Sequence, residues 1–232
     1  MKPSGKPLKY IGLAVILFLH IIIFFLLSRG DHYFNNLPHY GMKFPTTKEV
    51  NGVSEPDTIY HEIPYWSFID QDGEIVTQED YDGKIYVGSF IFTTCPSICP
   101  KMTVQMGLLQ IKLDNPAFND IGYISYTVDP EHDTPEILKA YGKEHDADFD
   151  RWTFLTGEKQ KIYELGVNGY LVSTQEDALA EGGFLHSEKF ILVDWDRHIR
   201  GFYDGTDVND VGRLAEDIKI LLKEKSRNES KT

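Results

Sequence analysis

Cysteine is scarce in this chain, with two residues in 232, at positions 95 and 99. That excludes a disulfide-rich scaffold and a Cys₄ zinc site, leaving one disulfide, one redox pair or half of a metal site. Positive charge is also short: 23 Lys and Arg stand against 36 Asp and Glu, for a net charge of −13. A polyanion needs a Lys/Arg surface, so nucleic acid is excluded as a partner. No internal repeat is present. The hydrophobic fraction of 41% and charged fraction of 25% are those of an ordinary globular chain. The length suits one domain with appendages.

One apolar run stands out, from Ile11 to Leu27. As a helix, 17 residues span roughly 26 Å, enough to cross a hydrocarbon core. Lys2, Lys6 and Lys9 precede it, so residues 1–10 are expected in the cytoplasm and the rest outside. Ser28-Arg29-Gly30-Asp31 offers no small-x-small cleavage site, and no cysteine is present there for lipid attachment. An uncleaved anchor over 11–27 is the expectation. His20, a lone imidazole within it, is given no role. The Lys-bearing N-terminus has no Arg-rich transit segment. It favours a bacterial inner membrane with the C-terminal domain in the periplasm over a mitochondrial inner membrane.

Residues 28–58 lack periodicity and carry Pro38, Pro45 and Pro56, which reads as a tether with little structure of its own. The domain is expected over 59–224, with a charged tail over 225–232. Tyr60 to Ile69 and Glu74 to Gln78, around Gln71-Asp72-Gly73, predict an N-terminal β-hairpin extension. Lys84 to Phe92 reads as a buried strand, and Met102, Met106, Leu109 and Leu113 as one helical stripe. A strand over Ile121 to Val128 follows. Asp133-Thr134-Pro135-Glu136 then resembles a capping box opening a helix to about Glu144. A short strand at Trp152 to Leu155, a short helix at Lys159 to Val167, a hairpin over Lys189 to Tyr203 and a helix from Val208 to Lys223 complete the order. Strand, Cys loop, helix, strand, helix, hairpin and final helix make a thioredoxin-like α/β domain.

Thr93-Thr94-Cys95-Pro96-Ser97-Ile98-Cys99-Pro100 joins the buried strand to the Met-striped helix. A thiol at a helix N-terminus meets unpaired N–H groups and the positive dipole end, which favour thiolate. Cysteines four apart on a first turn share a face, within reach of a disulfide or of one shared metal. A static disulfide closing so short a loop would stabilise the fold only modestly. Soft thiolates select Cu(I), with imidazole an acceptable third ligand. His32 and His39 fall in the tether, His198 in a turn and His145 at a helix end, where solvated imidazoles are common; besides His61 and His132, the exported part has His186. His186 ends the Gly-rich loop Gly182-Gly183-Phe184-Leu185 before the strand at Lys189, a position that can approach the Cys loop. Asp129 and Asp133 suggest a carboxylate pair, but a strand end with a supporting role for Asp129 and a helix cap for Asp133 account for them better. Met102 and Met106 are assigned to the core by their spacing.

Three motifs in order resemble the Sco/SenC family. They are Thr94-Cys95-Pro96-Ser97-Ile98-Cys99-Pro100, then Thr127-Val128-Asp129-Pro130-Glu131-His132-Asp133-Thr134-Pro135, then His186-Ser187 before the Phe190-to-Asp194 strand. With the anchor, the resemblance covers residues 60 to 223. It implies a thioredoxin-like, membrane-anchored copper-binding protein that helps assemble the binuclear copper centre of cytochrome c oxidase. It also implies Cys95, Cys99 and His186 as metal ligands. The chain departs from the family pattern at Ser97 and at Leu185, where Asp is common.

The leading expectation is a metallochaperone rather than a conventional enzyme. Reduced Cys95 and Cys99 with His186 hold copper, as Cu(I) with Cu(II) a second candidate state, and pass it to cytochrome c oxidase subunit II. Other copper carriers or thiol reductases are further expected partners. The rival is a thiol–disulfide oxidoreductase in which Cys95 attacks and Cys99 resolves, keeping the target's cysteines reduced without needing His186. A thiol-based redox sensor is the third reading.

Overall fold

The computed structural model describes residues 15–23, 36–50, 52–172, 175–176, 184–185 and 187–230. They fall in two units, Met1–Asn35 and Asn36–Thr232. In the first, residues 15–23 form an exposed helix, α1. His20 Nδ1 meets the Ile16 carbonyl one turn back at 2.8 Å, so the imidazole is satisfied within its own helix. Among the described residues no helix is long and apolar enough to cross a membrane. The remainder of the expected anchor lies outside the described residues.

The second unit opens with a correction. Within the expected tether, β1 (Lys43–Val50) and β2 (Val53–Tyr60) form an antiparallel hairpin in which Val50 pairs with Val53. Its side chains are mostly exposed on both faces, so neither strand shows apolar alternation. What specifies the hairpin is Asn51-Gly52 between two β-branched residues, with Gly52 at φ +78°.

A seven-stranded sheet carries the core. β3 (Ser67–Asp70) and β4 (Ile75–Thr77) form the expected early hairpin, turning at Gly73 with φ +84°. Asp70 Oδ1 stabilises that turn by accepting the N–H groups of Asp72 and Glu74 at 2.8 and 2.9 Å. β5 (Ile85–Ile91) and β6 (Ile121–Thr127) are buried at every residue and pair in parallel, as their near-continuous apolar runs require. α2 (Ile98–Lys112) connects them. α3 (Pro135–Glu144) leads on to β7 (Trp152–Thr156), which is parallel to β6. α4 (Lys159–Glu164) runs into a π-turn at Leu165–Gly169. β8 (Gln175–Glu176) pairs with β9 (Phe184–Leu185) as a separate two-stranded ribbon. β10 (Lys189–Val193), β11 (Ile199–Asp204) and α5 (Val208–Glu229) complete the unit.

The strand order is β11-β10-β5-β6-β7-β3-β4, a thioredoxin-like arrangement with the early hairpin forming one edge. Met102, Met106, Leu109 and Leu113 are buried along α2 as expected, each contributing about 1.5–3 kcal/mol of apolar burial. The C-terminus departs from expectation. α5 continues through the supposed tail to Glu229, and Glu224, just ahead of that tail, is buried. It faces Arg200, which is 1% exposed and binds Glu224 at 2.9 Å and Asp194 at 2.8 Å. The same guanidinium donates to the Leu37 and Pro38 carbonyls at 2.6 and 3.1 Å, so the chain just ahead of the first hairpin is fixed to the domain.

Candidate metal centre

β5 ends at Ile91 in the middle of the sheet, and the chain turns through Thr93-Thr94 into Cys95. The Cys95 N–H donates to the Phe92 carbonyl at 3.2 Å. Ser97 is the N-cap of α2, so Cys95 sits in the loop and Cys99 is the second helical residue. The pair therefore does not share a helical turn. The Cys99 N–H, one of the donors a first turn leaves without a helical partner, points at Cys95 Sγ at 3.4 Å. Both cysteines are free thiols and both are buried, at 5% and 0% exposure.

Burial pushes the Cys99 thiol far above its ordinary range, and the neighbouring Cys95 sulfur adds to the effect. At Cys99 burial opposes the thiolate that a helix terminus favours. Such a thiol is a poor free nucleophile. A bound monovalent metal ion replaces its proton and neutralises the charge that burial penalises, so the donor set fits a soft cation.

The loop is secured from behind by Asp133, which is 0% exposed. Its carboxylate accepts the Thr93 N–H at 3.0 Å and the hydroxyls of Thr93 and Thr127 at 2.5 Å each, and it pairs with His132 Nδ1 at 2.9 Å. Asp133 is thus not the helix cap: Thr134 holds that place, accepting the Ile137 N–H, with Pro135 in the first turn. Asp129 lies nearby with its carboxyl raised by partial burial and by the charge of Asp133. On the other side, Thr103 donates to the Cys99 carbonyl at 2.8 Å and meets the Tyr141 hydroxyl at 2.7 Å.

His186, the expected third ligand, lies outside the described residues, as does His32. β10 runs antiparallel to β5 with Ile191 opposite Gly88 and Val193 opposite Tyr86, so the start of β10 lies toward the end of β5 that releases the Cys loop. Of the other histidines, His61 meets the Gly169 carbonyl at 2.7 Å and His145 packs on the Tyr141 ring at 4.6 Å. Two histidines given no role, His39 as part of the tether and His198 as a solvated turn residue, prove otherwise and converge on buried Asp194. The only sequence trace of that cluster is the Asp194-to-His198 spacing of four across a turn.

A family model described as SCO1/SenC matches residues 55–223. The SCO1 protein homolog of Bacillus subtilis (strain 168) is 34% identical over 180 residues, spanning 77% of this chain and 92% of that protein. Among solved structures, a SCO1/SenC family lipoprotein from Bacillus anthracis str. Ames superposes with a TM-score of 0.64 at 29% identity, covering 69% of this chain and 95% of the other. BsSco, described as a member of the Sco family of cytochrome c oxidase assembly proteins with a disulfide switch, gives 0.59 at 33% identity, covering 68% and 92%. ScoI of Arabidopsis thaliana, solved with copper bound, gives 0.57 at 26% identity, covering 71% and 98%.

Proposed function

The chain belongs to the SCO1/SenC family, and from that membership we propose that it is a membrane-anchored copper carrier that helps metallate the binuclear centre of cytochrome c oxidase subunit II. The observation that carries this reading is the pair of free, buried thiols joined by the Cys99 N–H to Cys95 Sγ contact at the head of α2. Copper is the cargo. Cys95, Cys99 and His186 hold it as Cu(I), and Asp133 keeps the loop in place through Thr93. Delivery is ligand exchange: each copper–sulfur bond on the carrier gives way to one on a target thiol, whose proton moves to the released cysteine, with no net electron transfer. Residues 11–27 anchor the chain in the bacterial inner membrane with the domain in the periplasm, following the flanking lysines. The lipoprotein relative from B. anthracis supports a membrane-held setting.

The second reading, a thiol–disulfide oxidoreductase, draws support from the two free thiols and from the disulfide switch described for BsSco. The two readings differ in that disulfide exchange does not need His186.

The test is a Cu(I) titration of the reduced full chain in mild detergent against a competing chelator, anaerobically. One tight equivalent is expected, weakened at least tenfold in His186→Ala and lost in Cys95→Ser. Tight binding indifferent to His186→Ala overturns the three-ligand assignment, and no tight binding in wild type transfers the function to thiol reduction.

A further inference from the structure

At the opposite end of the sheet from the thiols, we propose a second metal site, formed by His39, Asp194 and His198 and selective for a divalent ion of the zinc and copper(II) type. The location follows from the strand register. Val193 pairs with Tyr86 near the start of β5, whereas the Cys loop leaves its end, and the Gly83 N–H donates to the Trp195 carbonyl at 3.3 Å. The length of β5 separates the two places by roughly 20 Å.

Four observations support the site. First, the ligand atoms already converge: one nitrogen from each imidazole and one oxygen of Asp194 all lie within 4.8 Å of one another. Second, His198 Nδ1 and Asp194 Oδ2 are 3.5 Å apart. That is long for an ion-paired hydrogen bond but close to the edge of a tetrahedral zinc site, about 3.4 Å for bonds of about 2.1 Å. Closing His39 onto that edge requires a movement of little more than 1 Å by a half-buried ring.

Third, the ligands are held in place. Asp194 Oδ1 accepts the N–H groups of Asp196 and His198 at 3.0 and 2.9 Å. His39 stacks on Tyr60 at 3.9 Å, and His198 stands edge-on to it at 5.1 Å. The backbone on either side of His39 is tied down by Arg200 at Leu37 and Pro38 and by the Tyr40 N–H to the Ile199 carbonyl at 2.9 Å.

Fourth, the charge balance leaves room for a cation. One buried guanidinium, Arg200, faces two carboxylates, Asp194 and Glu224, and Glu224 takes up its Nη2 through both oxygens at 2.9 Å. The unbalanced negative charge lies on the histidine side. His198 also opens onto a groove of about 480 Å³ bordered by Glu62, Glu79, Asp82, Asp196 and Arg197; Arg197 pairs with Glu62 at 2.7 Å, and the other three acids leave the approach net acidic. Two imidazoles and one carboxylate suit zinc or copper(II), whereas the thiol site suits a soft monovalent ion. Bound there, the ion would fasten the segment ahead of the first hairpin to the β10–β11 turn.

The test removes the thiols and leaves the rest: the full chain carrying Cys95→Ser and Cys99→Ser, titrated with Zn²⁺ and separately with Cu²⁺ by calorimetry and followed by thermal melting. One equivalent is expected, raising the melting temperature. Affinity falls at least tenfold in His39→Phe, which keeps the stack on Tyr60, and in His198→Gln. The proposal is overturned if no equivalent binds at millimolar metal, or if binding and thermal shift survive His39→Phe. In the former case, a proton on His198 is the balancing cation.

Discussion

Replacing Asp133 with asparagine tests whether the carboxylate behind the cysteine loop holds that loop. The side chain is fully buried and takes three hydrogen bonds, from the Thr93 N–H and from the hydroxyls of Thr93 and Thr127. A bond to a charged acceptor contributes about 1.5–3 kcal/mol, against about 0.5–1.5 between neutral groups. Asparagine keeps the shape and, with its oxygen in the place of Oδ2, still accepts the Thr93 N–H and the Thr127 hydroxyl, each bond weaker by roughly 1 kcal/mol; its Nδ2 cannot accept the Thr93 hydroxyl, which must turn to receive it, and the cheaper burial of a neutral amide offsets part of the loss. His132 adds little, because its side chain is 49% exposed. The expected net loss is about 1–2 kcal/mol in Asp133→Asn and at least about 3 in Asp133→Ala, which leaves three donors unpaired. Thermal or urea unfolding of the full chain in detergent, followed by near-ultraviolet circular dichroism, reads the loss. Thr93 lies two residues from Cys95, so Cu(I) affinity should fall as well, by up to about tenfold if some 1.4 kcal/mol of loop order is lost. A double-mutant cycle with Thr93→Val should return about 1 kcal/mol of coupling. If Asp133→Asn matches wild type within about 0.5 kcal/mol and the cycle shows no coupling, the carboxylate does not hold the loop.

Arg200→Met should destabilise the fold by about 3–5 kcal/mol, because it leaves Asp194 and Glu224 buried without their cation. Burial pushes the Asp194 carboxyl up, but the hydrogen bonds from His198 and Arg200 outweigh it and hold the group below its usual range. Its stabilising contribution is therefore present above the unfolded value and lost as pH falls through the folded one, so the variant's deficit should shrink toward pH 3 in denaturant titrations. With a chelator present, His198 gives the opposite slope. Its pKa is raised chiefly by the hydrogen bond to Asp194, so its contribution is complete below about pH 6.5 and declines as pH rises through the folded value. The stability difference between wild type and His198→Gln should accordingly narrow between pH 6 and pH 8.5, and a constant difference would contradict the pairing.

The sequence made the centre of the sheet legible. Ile85–Ile91 and Ile121–Thr127 are strands buried on both faces, whose composition alone distinguishes them, and the stripe from Met102 to Leu113 has the period of a helix with one buried side. The cysteine pair at the strand–helix junction was equally plain. What escaped depends on contacts between distant positions. The Lys43–Tyr60 hairpin buries too little to leave an apolar period, and its Asn-Gly turn was the available signal. Asp133 has the local appearance of a cap, whereas its partners lie 40 residues away at Thr93 and six away at Thr127. Glu224, beside an expected charged tail, looks like one more solvated acid until Arg200 is placed opposite it. His39 and His198 are 159 positions apart, and no spacing rule relates them.

The outer strand β11 also bears on how this domain behaves beside copies of itself. An open sheet margin is a template for further strands, and proteins held at high local density must blunt it. Here several main-chain groups of β11 are already engaged from outside the sheet. The Ile199 carbonyl takes the Tyr40 N–H at 2.9 Å, the Phe202 carbonyl takes the Arg213 guanidinium at 3.3 Å, and the Asp204 N–H donates to Asp210 at 2.7 Å. At the far margin β4 is only three residues long. Neither margin offers an incoming strand a continuous ladder, so the domain is guarded against edge-to-edge self-association even though Ile75 stands exposed on β4.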